Sequence, residues 1–301
     1  MEDFEYDGIR IAYVRRGESG PPVVMLHHAG ASHLVWMPQM QALAGEYRVF
    51  ALDLPGYGVS SKPADDYTLE RYTELIHQFL VRHELTGVSL VGNCLGSAIT
   101  LNLTRRYPEL IRAAVVMNPL TESTVLHGRL GRAARLDLAV PEAVVRAFDR
   151  WHTPYWLARG TVRYWFTSRR AFRECPYTTA LSAGYPARAL LRMIRDLPSF
   201  AALDDWPDRA QLPPICTVWG NDNRVLSAPA GRTLNARLRP DRAEFLDGCG
   251  HVPMLEQSAR VTAILTEFLG AAGDQASQVT AEAERTWTST PKESDRESTV
   301  I

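Results

Sequence analysis

The stretch that most constrains this chain is residues 88–96: Val88, Ser89, Leu90, Val91, Gly92, Asn93, Cys94, Leu95 and Gly96. An apolar run with strand character meets a Gly-x-Cys-x-Gly turn, and a helical pattern follows. A strand that turns sharply into a helix brings two backbones together, and Gly92 and Gly96 have no Cβ to clash there. Cys94 stands where the helix begins, so unpaired amides and the positive end of the helix dipole favour an anion at its side chain. A thiolate would be stabilised in that position. Taken alone, these nine residues also fit a buried cysteine in an ordinary strand–helix unit, because short motifs match by chance.

The surroundings narrow the choice. Residues 9–14 and 22–26 read as strands separated by the turn signal Gly17, Glu18, Ser19, Gly20, and residues 47–52 read as a buried strand. Leu69, Tyr72, Leu75, Ile76, Phe79 and Leu80 recur at helical spacing. A helix follows Cys94 to about Tyr107, and residues 113–117, 214–219 and 243–246 are further strands. Strands alternating with helices in this way predict an α/β chain with a mostly parallel sheet and helices on both faces. The 301 residues suffice for one such domain with an insertion, and 46% hydrophobic content allows a large core.

Between residues 119 and 205 the strand signal disappears and helical patterns interrupted by Gly, Pro and aromatic residues take over. Trp151, Tyr155, Trp156, Tyr164, Trp165 and Phe166 lie there. Large aromatics can close over an apolar substrate or simply pack helices together. Residues 120–200 hold thirteen arginines against six acidic residues. Such charges are either solvated helix faces or a docking face for an anionic carrier. From residue 271 the composition turns polar, and 271–301 reads as a disordered tail.

Net charge is −1, so nothing global points to nucleic acid or an anionic membrane. No run of eighteen apolar residues exists, and the acidic N-terminus lacks the basic and apolar regions of a signal peptide. Cys94, Cys175, Cys216 and Cys249 have no zinc-finger spacing, so no metal or other cofactor is expected, and reduced thiols in a cytoplasm are the default.

Several motifs in order give the chain a family resemblance. Gly92-x-Cys94-x-Gly96 resembles the nucleophile elbow of the α/β-hydrolase family, with cysteine where that family usually has serine. Asp53, Pro55, Gly56, Gly58 and Ser60 resemble its Asp-x-Pro-Gly-x-Gly-x-Ser turn, a structural loop, so Asp53 is not the expected catalytic acid. Gly250, His251, Pro253 and Glu256 resemble its Gly-His-x-Pro-x-x-Glu signature. The resemblance covers about residues 9–270. It implies an α/β-hydrolase core over 1–118 and 206–270 with an inserted helical cap over 119–205. It implies that Cys94 is the nucleophile, His251 the base, and Ala29 and Leu95 the backbone donors of the oxyanion hole. His28 stands where the family usually has glycine, and either tolerates the loop conformation or places an imidazole beside the pocket with Trp151, Trp156 and Trp165. The residue that orients the base falls at Asn223 by the family's Gly-x-x-Asp spacing from Gly220, with Asp222 one position early, and both assignments stay open.

Three functions follow from the resemblance. The first is a cysteine-dependent hydrolase or acyltransferase acting on an ester, lactone or thioester, its small-molecule substrate free or linked to coenzyme A or another carrier. A thiol ionises near neutrality, so a thiolate–imidazolium pair can precede substrate, and an asparagine can then orient the ring. The second is a lyase, eliminase or cyclase of specialised metabolism in which His251 moves protons and Cys94 forms no acyl-enzyme. The third is a non-catalytic binding protein with a relic site, disfavoured because Cys94 and His251 are both present.

Overall fold

The computed structural model describes residues 1–128, 131, 146, 153–183, 187–206 and 209–289. Its centre is an eight-stranded sheet in the order β1-β2-β4-β3-β5-β6-β7-β8. The strands are β1 (Glu2–Tyr6), β2 (Ile9–Arg16), β3 (Pro22–Leu26), β4 (Arg48–Leu52), β5 (Val88–Asn93), β6 (Ile111–Met117), β7 (Ile215–Gly220) and β8 (Arg242–Leu246). β2 pairs antiparallel with β1 and β4, and from β4 to β8 every pairing is parallel. The sequence gives little sign of β1: its alternation buries only Phe4.

The central strands are apolar at consecutive positions because both faces are covered. Val24, Leu26 and Leu90 pack on one face with α2 (Leu69–Arg82) and α3 (Leu95–Arg106). Val23, Met25 and Val91 point to the other, against α1 (Met37–Leu43) and the closing helix. Parallel strands need crossovers, which the helices supply, and the crossover loops bring His27, Cys94, Asn118, Asn223 and His251 to the carboxyl ends of the strands. That edge is where open α/β sheets place ligands.

Between β6 and β7 the described chain is helical: α4 (Glu122–Leu126), α5 (Tyr155–Trp165), α6 (Arg169–Glu174), α7 (Thr178–Ala183) and α8 (Ala187–Arg195), then a 3-10 turn at Leu197–Asp204. α9 (Ala228–Leu238) and the short α10 (Pro253–Glu256) precede the closing helix α11, Ser258–Ser289. α11 crosses the position where a disordered tail was expected to begin. Alanine, glutamate and glutamine dominate residues 271–285, and these are strong helix formers even where there is little apolar surface to bury. No helix among the described residues is long and apolar enough to cross a membrane.

Candidate active site

Cys94 occupies the turn between β5 and α3 with φ of 51°, a left-handed conformation that a side-chain-bearing residue adopts only under constraint. The constraint is visible on both sides. A Cβ on Gly92 would stand 2.3 Å from Gly96 O, and one on Gly96 would stand 2.0 Å from Leu26 O. The Cys94 N–H donates to Met117 O at 2.9 Å and Gly96 N–H to His27 O at 3.2 Å. Ser97 Oγ donates to Gly92 O and Met117 O, each at 2.8 Å. These contacts tie the elbow to β3 and β6.

The Leu95 and Ala29 backbone amides, the pair expected to form an oxyanion hole, both favour the ionised form of the Cys94 thiol. Burial nevertheless pushes the Cys94 thiol up to about 12, and the two amides offset that only in part. His251 is buried too, and desolvation alone pulls its imidazole down to about 3. Burial therefore opposes the thiolate–imidazolium pair expected before substrate binds, raising the thiol and lowering the imidazole. The helix N-terminus favours the anion, but removal from water disfavours it more.

The loop carrying His251 is held through its backbone. His251 N–H donates to Trp165 O at 2.8 Å, which joins the loop to the cap helix α5. His251 O accepts from Asn93 Nδ2 at 3.1 Å and from Asn118 Nδ2 at 3.3 Å. Glu256 accepts from Thr167 N–H at 2.6 Å, Ser168 N–H at 2.9 Å and Gly250 N–H at 2.5 Å, clamping the cap to the same loop. The ring itself is less restrained, because His251 Nδ1 is buried without a partner. Asn223 Oδ1 accepts instead from the Val225 and Leu226 N–H groups, at 2.9 and 3.1 Å. Asp222 is exposed, and its backbone N–H donates to Cys249 O at 2.9 Å. Neither residue makes the hydrogen bond to the His251 ring that the sequence spacing led us to expect. Asn223 caps its own turn, as asparagines do in loops.

The two histidines after β3 have different surroundings. His27 Nε2 accepts from Leu54 N–H at 2.9 Å, so its Nδ1 carries the proton and donates to His28 O at 2.8 Å. It bolts the ends of β3 and β4 together. Asp53 is structural as expected: it accepts from the backbone N–H groups of His33 and Val59 and from the His33 ring. His28 lies beside the site, its ring edge-on to Trp165 at 4.3 Å and to His251 at 5.2 Å between centroids. Its Nδ1 lies 3.2 Å from Asn93 Nδ2. The carbonyl of His251 can only accept, so the amino group of Asn93 must face it, and the same group meets His28 Nδ1. Nδ1 of a neutral His28 is therefore the acceptor, and Nε2 carries a proton with no partner. Burial, with the nearby rings of His251 and His27, holds the His28 pKa well below the ordinary value.

Trp165 thus packs on His28, whereas Trp156 is 73% exposed. Trp151 lies outside the described residues. Asn93, Asn118 and Glu256 had no role assigned from sequence, although two of them lie inside the signatures. Among the described residues no group of three or more His, Cys, Asp or Glu side chains could hold a metal ion.

The sequence matches the profile of the alpha/beta hydrolase fold over residues 21–258. It is 36% identical over 101 residues to a 2-hydroxy-6-oxo-6-(2'-aminophenyl)hexa-2,4-dienoic acid hydrolase of Metapseudomonas resinovorans, covering 32% of this chain and 34% of that one. It is 38% identical over 99 residues to a haloalkane dehalogenase of Agrobacterium fabrum, covering 33% and 32%. The chain thus spans about a third of the length of these curated relatives. An enol-lactonase from Burkholderia xenovorans superimposes with a TM-score of 0.72 at 18% identity, covering 89% of this chain and 100% of that one. An esterase from Thermogutta terrifontis gives 0.71 at 20% identity, covering 90% and 97%.

Proposed function

The chain belongs to the α/β-hydrolase family, and from that premise we propose that it is a cysteine-dependent hydrolase or acyltransferase acting on an ester, lactone or thioester. The observation that carries the reading is the strained, glycine-flanked turn that holds Cys94 at the start of α3, where the Leu95 and Ala29 amides favour its anion. Two fixed donors around a nucleophile stabilise the oxyanion of a tetrahedral intermediate, usually a large part of acyl-transfer catalysis. The enol-lactonase and esterase folds, and the hydrolase names among the relatives, support the substrate class.

Burial's opposition to the ion pair sets the order of events. Cys94 loses its proton to His251 as the sulfur–carbon bond forms, and the carbonyl electrons move to an oxygen held by the two amides. Collapse breaks the bond to the leaving group, which takes the proton from His251. Water, or an acceptor hydroxyl, amine or thiol, then attacks the acyl-enzyme as His251 removes its proton, and collapse breaks the sulfur–carbon bond, releasing the acyl product while Cys94 recovers the proton from His251. The four cysteines are free, which fits a reducing cytoplasm.

A second reading is a lyase in which His251, with His28 beside it, transfers protons and Cys94 stays uncharged. The protonated resting thiol and the unpartnered Nδ1 of His251 favour it. Intact-mass analysis after exposure to a panel of esters and acyl thioesters separates the two. An acyl adduct that disappears in Cys94→Ala supports the acyl-enzyme. Near-wild-type turnover in Cys94→Ala would rule it out in favour of the lyase.

A further inference from the structure

The arginine excess of the cap is not evenly distributed. Arg192 pairs with Asp65, and Arg170 with Glu174. Three other cap arginines come together around one cavity of about 550 Å³: Arg163 from α5, and Arg169 and Arg173 from α6. Arg224, from the loop after β7, joins them. Phe172 and Tyr164 supply its apolar wall. Among the described residues no carboxylate side chain lines it.

The convergence is built into the backbone. The Tyr164 hydroxyl donates to Arg224 O at 3.2 Å, which fixes the β7 loop against α5. The Arg163 guanidinium lies 5.8 Å from the centre of the Phe172 ring and donates to Phe166 O at 2.5 Å, so its position is set by packing. Four arginines from three chain segments thus line one space. Like charges repel at this spacing, and Arg224 and Arg169 both add to burial in lowering the Arg163 pKa, opposed only by Glu256. Glu256 is itself engaged by three backbone amides. An anion of several charges would relieve the repulsion, and planar guanidinium forks match the oxygens of a phosphate.

We propose that this cavity, bounded by Arg163, Arg169, Arg173 and Arg224, is a binding site for a phosphate- or diphosphate-bearing small molecule. It is separate from Cys94, so the proposal stands whichever chemistry the thiol performs. The phosphate can belong to a free nucleotide or to a carrier such as coenzyme A.

Calorimetric titration of the full chain with inorganic pyrophosphate, at fixed ionic strength, tests it without turnover. Saturable one-site binding is expected, and it should weaken when the titration is repeated at higher ionic strength with added chloride, since exposed charges are screened over about 10 Å at 0.1 M. The Arg169→Gln, Arg173→Gln double variant should lose about tenfold or more in affinity through its missing charge-assisted bonds, while Arg192→Gln, outside the cavity, binds as wild type. ADP and coenzyme A, titrated in parallel, distinguish the sources: equal affinities place recognition in the phosphates alone, and tighter coenzyme A binding adds its organic part. No saturable pyrophosphate binding, unchanged affinity in the double variant that still melts as wild type, or equal affinity for citrate would overturn the proposal.

Discussion

The uncharged state of Cys94 makes a sharp prediction about its reactivity. A thiol raised from an ordinary 9.0 to about 12 is harder to ionise by about 4 kcal/mol. At pH 7 its thiolate fraction is then roughly 10⁻⁵, against about 10⁻² for an ordinary thiol, and alkylation follows that fraction. Iodoacetamide labelling of Cys94, followed by peptide mass spectrometry, should accelerate about tenfold per pH unit from pH 6 to 10 without levelling. Half-buried Cys175 should label first, ahead of Cys94, Cys216 and Cys249, all of which are buried. The rise of thiolate ultraviolet absorbance with pH, compared between wild type and Cys94→Ala, reads the same ionisation without a reagent. A pH-independent labelling rate below pH 8 would refute the reasoning. It would mean that the amides and His251 outweigh desolvation and that an ion pair exists in the free protein.

Acid should destabilise the fold before most carboxylates titrate. Burial holds His27 at about 4 and His251 at about 3, so below pH 6.5 the unfolded chain takes up protons that the folded chain refuses, and stability falls with pH. At pH 5 each ring accounts for about 2 kcal/mol, and denaturant melts at pH 7 and 5 that coincide would contradict the burial of these rings. Glu256→Gln should lower stability by about 3 kcal/mol, because an amide nitrogen would face one of three N–H donors; an unchanged melt would deny the clamp. Asn223→Ala should lower the melting temperature while Asn223→Asp retains it, since only an oxygen acceptor is needed for the Val225 and Leu226 amides. A shift of the pH–rate profile without loss of stability in Asn223→Ala would return the orienting role to this residue.

What the sequence made legible was whatever short-range sterics dictates. The strand order of signals, the elbow and the His251 loop depend on residues adjacent in the chain, and Gly92, Gly96 and Pro253 mark them locally. The turn at Asp53 is equally local: a Cβ on Gly58 would lie 2.0 Å from Asp53 Oδ2, so that glycine and that carboxylate imply each other. The ring partner of His251 was not legible, because one residue of loop geometry decides whether Asn223 faces the ring or the Val225 and Leu226 amides. Asn93 meets His251 across 158 positions and Asn118 across 133. No periodicity reports contacts of that range. Trp156 and Trp165 are both aromatic cap residues of one helix, nine positions apart, and composition could not tell the exposed one from the one that packs on His28.

The electrostatic character of the site follows from these long-range contacts. A serine triad relies on a carboxylate to stabilise the imidazolium that forms during attack. Here the groups in contact with His251 among the described residues are neutral: two asparagine amides on its carbonyl and the His28 ring on its edge, while burial opposes ionisation of the Cys94 thiol. Ionising any one of them alone creates an uncompensated charge out of water, whereas moving a proton from Cys94 to His251 while an oxyanion forms at the Leu95 and Ala29 amides creates opposite charges together. The energy of separation is lowest when those charges are close and the oxyanion meets donors already in place. His28 adds a proton fixed on Nε2, a further neutral donor beside the His251 ring. Under the proposed acyl-enzyme mechanism, such a site would keep its thiol unreactive toward adventitious electrophiles and release its nucleophilicity only when a carbonyl occupies the oxyanion hole.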